Sequence, residues 1–298
     1  MIQHHVSKRR IRVLLCLALA ASFAIQCQRA MVNRNAEMVA SPPVAPRAEQ
    51  AFASPATAVQ VSASSVEARA ARDPVAFFES LLDVYDRGVR DYTCTFSKQE
   101  RLGDTLGAMQ VVEVMFRERP LSVRFKWIKN QDKCARVLYV AKQWVKDGNE
   151  LAVVEPGAIA RLVVPYVMRP IHGDDAKRSS RRTIDQFGFR NTLALTLKYA
   201  KLAREQGVGD FAYKGTSEVD GRETLLFERH LPFTGDGSTW PDRVLVVHID
   251  KEHLLPTLCQ SYADDAKSVL LGHYQMVDAK FNVNLPDSTF TKEGMGLQ

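Results

Sequence analysis

The stretch that decides the fold is MQVVEVMFRERPLSVRFKWIK, residues 109–129. Apolar and polar side chains alternate in each half of it, and this period of two predicts half-buried β-strands. A tight connector, Arg117-Glu118-Arg119-Pro120, separates the halves, so they are expected to pair as antiparallel neighbours. One face of the pair carries Val112, Val114, Phe116, Val123, Phe125 and Trp127. The opposite face carries Arg124 and Lys126, which are expected to face water.

Outward from this pair, the chain shows many strand-like stretches and only two amphipathic helices. The first helix begins at Asp73-Pro74, an N-cap residue followed by proline, and its apolar side chains recur at helical spacing. The second runs from about Asn191 to Glu205 and ends at Gly207. Because the strands follow one another through short turns, the sequence predicts an α+β fold with one large, curling antiparallel sheet of about ten or eleven strands.

The net charge of +6 is concentrated at the N-terminus. Residues 1–30 hold five basic side chains and no acidic one, and the remaining chain is close to neutral. A near-neutral body lacks the broad basic surface that phosphate binding requires, which argues against a nucleic-acid partner.

The basic N-terminus has the pattern of an export signal. The charged run at residues 8–12 precedes the apolar run Val13–Ile25, which is shorter than the roughly 20 residues of a membrane-spanning helix. Cys27 raises the alternative of lipidation, although Gln26 stands where a lipidation motif prefers a small residue. We therefore expect an exported protein of the periplasm or cell envelope, with its mode of tethering left open.

The next segment, residues 31–72, is rich in Ala, Ser and Pro, and Phe52 is its only aromatic residue. Such a composition buries too little apolar surface to offset the entropy of ordering, so we expect a disordered linker. The folded domain is then expected to be residues 73–298.

The sequence contains few features typical of catalytic or metal-binding sites. Zinc-binding histidine spacings, nucleophile elbows and phosphate loops are all missing from the sequence, so no cofactor and no enzymatic activity are predicted. The one local cluster with metal-compatible groups is His172, Asp174 and Asp175, in a polar stretch for which a solvated loop is the simpler interpretation. The basic run that follows it offers a possible anionic contact through Lys177, Arg178, Arg181 and Arg182.

Several motifs resemble an uncharacterised family of exported bacterial proteins, classed as a domain of unknown function. They include YTCTFSKQERLGDTLG (92–107), FRERPLSVRFKWIK (116–129), ARVLYV (135–140), RRTIDQFGFRNTL (181–193) and LPDSTF (285–290). The resemblance covers about Asp73 to Phe290. Cys134-Ala135 and the long basic loop 168–181 depart from the family pattern.

More distantly, the order of elements resembles the LolA/LolB/LppX/RseB superfamily. This resemblance implies an open half-barrel whose helices lie on the concave side of the sheet, over an apolar hollow. It also implies a partner such as a lipid, a lipoprotein acyl chain or another envelope protein. The residues predicted to line the hollow are Phe96, Val112, Val114, Phe116, Val123, Phe125, Trp127 and Tyr139.

Three hypotheses follow. The apolar face binds a ligand; the hollow is filled and the protein is an interaction or sensor module; or a hydrolytic or metal site lies near His172. If the helices fill the hollow, the same apolar residues are simply core.

Overall fold

The computed structural model describes residues 63–131, 133–157, 160–235 and 237–297. They lie within one compact unit, Val59–Gln298. The predicted export signal, Cys27 and residues 31–62 of the predicted linker lie outside the described residues.

Ten residues of the predicted linker are helical. Helix α1, Ala63–Arg72, has Ala70 fully buried and packs Val66 against the main core. Alanine has the highest helix propensity, and a small side chain fits a close helix contact, so the composition that indicated a linker also suits this helix. The predicted disorder therefore does not extend to Ala63–Arg72, and the folded domain begins before Asp73.

Three further helices and thirteen strands follow in the described part of the chain. The helices are α2 Pro74–Gly88, α3 Asp174–Ser179 and α4 Phe189–Gln206. The strands before α3 are β1 Asp91–Leu102, β2 Thr105–Leu106, β3 Gln110–Arg117, β4 Ser122–Lys129, β5 Cys134–Val140, β6 Val145–Lys146, β7 Asn149–Pro156 and β8 Val167–Pro170. Those after α4 are β9 Asp210–Val219, β10 Arg222–His230, β11 Val244–Asp250, β12 Pro256–Tyr262 and β13 Leu270–Phe281.

All strands belong to one open antiparallel sheet. Its order is β6-β7-β5-β4-β3-β1-β13-β12-β11-β10-β9, with β2 beside β1 and β8 beside β7. Neighbours in the sheet are consecutive in sequence, or are separated only by the two-residue strands β2 or β6, except where β1 pairs with β13 and joins the two halves of the chain. The predicted α+β fold with a large open antiparallel sheet and two main helices is confirmed.

The two predicted helices form for the reasons that the sequence indicated. Asp73 caps α2, because its carboxylate accepts hydrogen bonds from the backbone N–H groups of Val75 and Ala76. Helix α4 ends at Gly207, whose φ of 65° is the left-handed conformation that glycine adopts at least cost. Both helices direct their apolar sides at the sheet, including Phe77, Phe78, Leu81, Leu193 and Leu197.

The opposite face of the sheet, which we call the outer face, is partly covered by the C-terminal segment 285–297. Phe290, Met295 and Leu297 from this segment are buried against Leu138, Val140 and Val153 of β5 and β7.

This covering corrects one expectation. Arg124 does not simply face water: its guanidinium donates hydrogen bonds to the carbonyl oxygens of Thr289, at 3.3 Å, and Gly294, at 3.1 Å. The irregular C-terminal segment has carbonyl groups without strand partners, and arginines on the outer face satisfy them. Lys126 remains exposed and pairs with Glu113.

Candidate functional site

The register of the sheet places all eight predicted ligand-binding residues on one face, which we call the inner face. Phe96 pairs with Val112, which pairs with Trp127. Val114 pairs with Phe125 in the same way. A third row joins Phe116, Val123 and Tyr139. Six of the eight are buried, and Phe125 and Trp127 are half-buried against the same core.

Two different structures cover the two halves of the inner face. Over β9 and β10, helix α2 supplies Phe77, which stacks on Phe227 with ring centroids 5.7 Å apart, and Phe78, which lies edge-on to Phe211 at 5.0 Å. Over β1, β3, β4 and β5, aromatic contacts come from the segment between β8 and α4 and, at Tyr92, from Phe189 at the start of α4. This segment, residues 171–188, is called the lid segment below.

The lid segment covers its half of the inner face mainly through Phe187. The Phe187 ring lies edge-on to Phe125 at 4.8 Å and to Phe96 at 5.0 Å, and 6.1 Å from Phe116. Ile184 packs against the same core, and Ile171 is buried at the start of the segment. Three of the predicted ligand-binding residues, Phe96, Phe116 and Phe125, therefore lie under Phe187. Apart from the short helix α3 and one 3-10 turn, the lid segment is irregular.

One buried carboxylate fixes the lid segment to the sheet. Glu100, on β1, accepts hydrogen bonds from the Ser180 hydroxyl at 2.9 Å and the Arg181 backbone N–H at 3.2 Å. The hydroxyl of Tyr274, on β13, donates to the same carboxylate at 2.8 Å, and Lys98 forms an ion pair with it at 3.1 Å. Burial, together with the negative charge of Glu100, raises the pKa of Tyr274. Its hydroxyl thus stays protonated as a donor.

A second carboxylate orders the other edge of the site. Glu150 accepts hydrogen bonds from the Tyr139 hydroxyl at 2.7 Å and the Lys142 backbone N–H at 2.9 Å. These hydrogen bonds hold the pKa of Glu150 below its usual value. The Tyr139 ring consequently lies on the inner face while its hydroxyl reaches a polar partner.

The predicted cluster near His172 does not converge. His172 Nε2 lies 3.3 Å from a carboxylate oxygen of Asp185, while Asp175 pairs with Arg178 at 2.7 Å at the start of α3. All three of His172, Asp174 and Asp175 are exposed. Within the described ranges, no group of three or more His, Cys, Asp or Glu side chains is arranged to hold a metal ion.

The predicted anionic-contact residues are divided between two settings. Lys177 and Arg178 are exposed on α3. Arg181 and Arg182 are half-buried, and the Arg181 guanidinium donates to the carbonyl oxygen of Pro241 at 3.4 Å. Arg181 thus also joins the lid segment to the loop before β11, and the anionic contact stays a prediction.

The buried cysteines are poor nucleophiles. Burial raises the pKa of the Cys259 thiol to about 12 and that of Cys94 further still. Both side chains therefore remain protonated at neutral pH and act as small apolar core residues.

Two small clefts, each of about 290 Å³, open elsewhere on the domain. One is lined by Arg136, Glu155, Arg161, Pro165, Gly296 and Leu297. The other lies on the outer face beside Glu113, Met115 and Arg124. Both are bordered by charged side chains, unlike the apolar inner face.

Sequence comparison assigns the chain to a family. Residues 89–294 match the family model described as a protein of unknown function, DUF1571. The chain belongs to the DUF1571 family. The predicted membership of a family of unknown function is confirmed. A search of curated proteins returns no match.

Solved structures similar to the DUF1571 chain have low sequence identity. The Pseudomonas aeruginosa MucA/MucB complex contains a chain 15% identical, with a TM-score of 0.42; the match covers 74% of this chain and 61% of that one. Lipoprotein LppX of Mycobacterium tuberculosis is 14% identical, with a TM-score of 0.37, coverage being 72% and 98%. The LolA superfamily protein NE2245 of Nitrosomonas europaea is 11% identical, with a TM-score of 0.25 and the same coverage.

The lengths and hydropathies of the described helices can be compared with those of membrane-spanning helices. In the part of the chain that the structure describes, none is both long enough and apolar enough to span a bilayer.

Proposed function

We propose that this DUF1571 protein is an exported, non-enzymatic protein of the cell envelope that binds an acyl chain of a lipid or lipoprotein. The ligand would lie between the inner face of β1, β3, β4 and β5 and the lid segment. Export rests on the N-terminal sequence pattern, which lies outside the described residues.

The observation that carries this proposal is the position of Phe187. A single aromatic side chain from an irregular segment covers the half-buried Phe125 and two further aromatic residues, Phe96 and Phe116. Where the other half of the sheet is covered, the covering element is instead a helix with a continuous apolar face. The lid segment contains only the six-residue helix α3, whereas α2 has 15 residues, so displacing the lid segment disrupts fewer backbone hydrogen bonds and costs less free energy.

The energetics of binding would be those of apolar burial. An acyl chain that replaces Phe187 restores the apolar contacts that the opening removes, and each buried methylene contributes about 0.8 kcal/mol. An extended chain also reaches Trp127, which is only half-buried when the lid segment is closed. Ligand binding would thus offset the cost of releasing the polar contacts at Glu100.

The proposal is tested by purifying the protein from its native envelope without detergent and analysing extracted lipids by mass spectrometry. We expect one acyl chain or acylated peptide per protein. The Trp127→Glu variant should lose the ligand while keeping its circular dichroism spectrum. Met115→Glu, a charge placed on the outer face of the neighbouring strand β3, is the matched control and should retain it.

A well-folded wild-type protein without any bound lipid would contradict the acyl-chain proposal. It would favour a second candidate function, an interaction or sensor module without a ligand cavity. The observation that supports this alternative is the filled inner face: Phe187 and the helices leave six of the eight predicted residues buried.

A further inference from the structure

A different part of the domain exposes apolar side chains without covering them. Between β7 and β8, Leu162 and Val163 expose 85% and 83% of their surfaces, and Val164 exposes 39%. Leu162 and Val163 are the two most exposed large apolar side chains among the described residues, and they are consecutive in sequence. Exposure this complete means that the side chains extend from the domain instead of lying flat on it.

A second loop at the same end of the sheet adds to this surface. Strand β5 begins where β7 ends, since Cys134 pairs with Pro156, and the Gly157 backbone N–H donates to the Lys133 carbonyl at 2.9 Å. The hairpin between β4 and β5 therefore adjoins the loop that carries Leu162. Ile128, at the end of β4, is 52% exposed there. We call Ile128, Leu162, Val163 and Val164 the apolar tip.

Basic side chains lie close in sequence to the residues of the apolar tip. The sequence stretches 129–133 and 157–166 contain Lys129, Lys133 and Arg161 and one acidic residue, Asp132. The three basic side chains are exposed. The buried carboxylate of Glu155 lies nearby, but it already accepts hydrogen bonds from Arg136 at 2.9 Å and from Arg161 at 3.4 Å. The charge at this end of the sheet is therefore positive in excess.

An aromatic residue with a polar end lies at the base of the same loop. Tyr166 is half-buried, its hydroxyl accepts a hydrogen bond from Lys292 at 3.0 Å, and the Lys292 ammonium lies 4.5 Å from the ring centroid. Tyrosine and lysine side chains of this kind are favoured where a protein meets the headgroup region of a membrane.

We infer that the apolar tip inserts into the surface of an anionic lipid bilayer. Exposed apolar side chains with exposed basic residues nearby in sequence suit this occupant, because the acyl boundary accepts the apolar groups while the anionic headgroups meet Lys129, Lys133 and Arg161. A protein partner would instead need a groove shaped to receive Leu162 and Val163. The insertion is shallow and orients the sheet with the β4–β5 end towards the membrane. It does not depend on a ligand beneath the lid segment.

The experiment is flotation of the fragment 63–298 with vesicles of phosphatidylethanolamine and phosphatidylglycerol. This fragment contains every helix, strand and core cluster described above, and it omits the apolar run Val13–Ile25, which would bind lipid by itself. We expect the fragment to float, and the double variant Leu162→Ser/Val163→Ser to bind at least about tenfold more weakly, because it loses two inserting side chains. Raising the salt concentration should weaken binding by the wild-type fragment.

The matched control is Val145→Ser. Val145 is 56% exposed on β6, which pairs with the opposite end of β7, so this variant loses an exposed apolar side chain far from the tip. It should float like the wild-type fragment. A wild-type fragment that stays in solution, or a double variant that floats equally well, would overturn the inference. Neither result affects the acyl-chain proposal, because that proposal is tested by mass spectrometry of lipid extracted from the protein and not by vesicle binding.

Discussion

The hydroxyl of Ser180 lies 2.9 Å from a carboxylate oxygen of Glu100, and this contact joins the lid segment to the first strand of the sheet. Glu100 also has partners on β1 and β13 and a second partner in the lid segment: Lys98, Tyr274 and the Arg181 backbone N–H. Glu100 is thus the main polar contact of the lid segment with the sheet, beside the hydrogen bond from Arg181 to Pro241, and Phe187 is its main aromatic contact.

Replacing Glu100 by glutamine should loosen the lid segment without unfolding the sheet. Glutamine keeps the shape of the side chain but loses the charge that pairs with Lys98 and the second acceptor oxygen for Ser180 and Arg181. Hydrogen exchange of backbone amides in 174–187 should become about tenfold faster or more, which corresponds to roughly 1.4 kcal/mol. Amides in β3 and β4 should be unaffected.

Glu79→Gln is the control for this experiment, because it removes a carboxylate that pairs with the exposed Lys201 on the helices. Its lid-segment amides should exchange at the wild-type rate. Unchanged exchange in Glu100→Gln as well would mean that the Glu100 carboxylate does not hold the lid segment in place.

The sequence predicts the strands of the sheet and their faces far better than it predicts the contacts of the lid segment. The alternation in 109–129 identifies β3 and β4 and assigns Val112, Val114 and Phe116 to one face, since a period of two leaves no other assignment. Glu100 continues the same alternation from Phe96 through Lys98, so the sequence predicts that its side chain lies on the inner face. The burial of Glu100 cannot be predicted from the local pattern, because its partners Ser180 and Tyr274 are 80 and 174 residues away in sequence.

Phe187 and the C-terminal segment illustrate the same limit. Residues 171–188 show no sustained period of 3.6 or 2, so nothing local indicates that Phe187 reaches Phe96 and Phe125. Likewise, the alternation shows that Arg124 lies on the outer face, but only the tertiary structure shows that the carbonyl oxygens of Thr289 and Gly294 meet it.

Replacing Phe187 by alanine should create the cavity that an acyl chain would fill. The ring is half-buried, so we expect a loss of about 1–3 kcal/mol in the free energy of unfolding, measured by urea denaturation. The variant should also bind a fluorescent fatty acid saturably, at one per chain, more tightly than the wild type does.

The control for this cavity is Phe290→Ala. Phe290 is fully buried on the outer face, so its removal costs stability without opening the inner face. If both alanine variants bound the fatty acid equally, the probe would be reporting general loosening, and the proposed site under Phe187 would lose its support.

Replacing Gly188 by alanine should destabilise the junction between the lid segment and α4. Gly188 has φ 117° and ψ 164°, a conformation that residues with a side chain rarely adopt. An added Cβ would also lie 3.0 Å from the Tyr92 hydroxyl oxygen and 3.1 Å from the Phe116 ring. We expect a loss of about 2–4 kcal/mol in the free energy of unfolding.

Gly88→Ala tests whether that loss is specific to the junction. At the end of α2, Gly88 has no atoms within 4 Å of an added Cβ and is not among the residues with positive φ. This substitution should be neutral or slightly stabilising in the same denaturation experiment. A Gly188→Ala variant as stable as Gly88→Ala would contradict the close packing of Gly188 on Tyr92 and Phe116.

Replacing Arg136 by glutamine should change how stability depends on pH. Hydrogen bonds from the Arg136 guanidinium are the main reason that the pKa of Glu155 lies below its usual value of 4.5. Because the folded-state pKa is the lower one, the unfolded chain binds more protons in acid. This contribution to stability is therefore complete above pH 4.5 and is lost as the pH falls through the folded-state pKa of Glu155.

In Arg136→Gln, the carboxylate of Glu155 stays buried with only Arg161, at 3.4 Å, as a charged partner, so its folded-state pKa should rise. At neutral pH the variant should be less stable by about 1–3 kcal/mol, and this difference should shrink in acid as Glu155 becomes protonated. Urea denaturation over a pH series measures it. Lys126→Gln, which removes one partner of an exposed ion pair, should cost less than about 1 kcal/mol throughout. A difference for Arg136→Gln that stayed constant with pH would show that the loss comes from the hydrogen bond between Arg136 and the Met295 carbonyl, and not from Glu155.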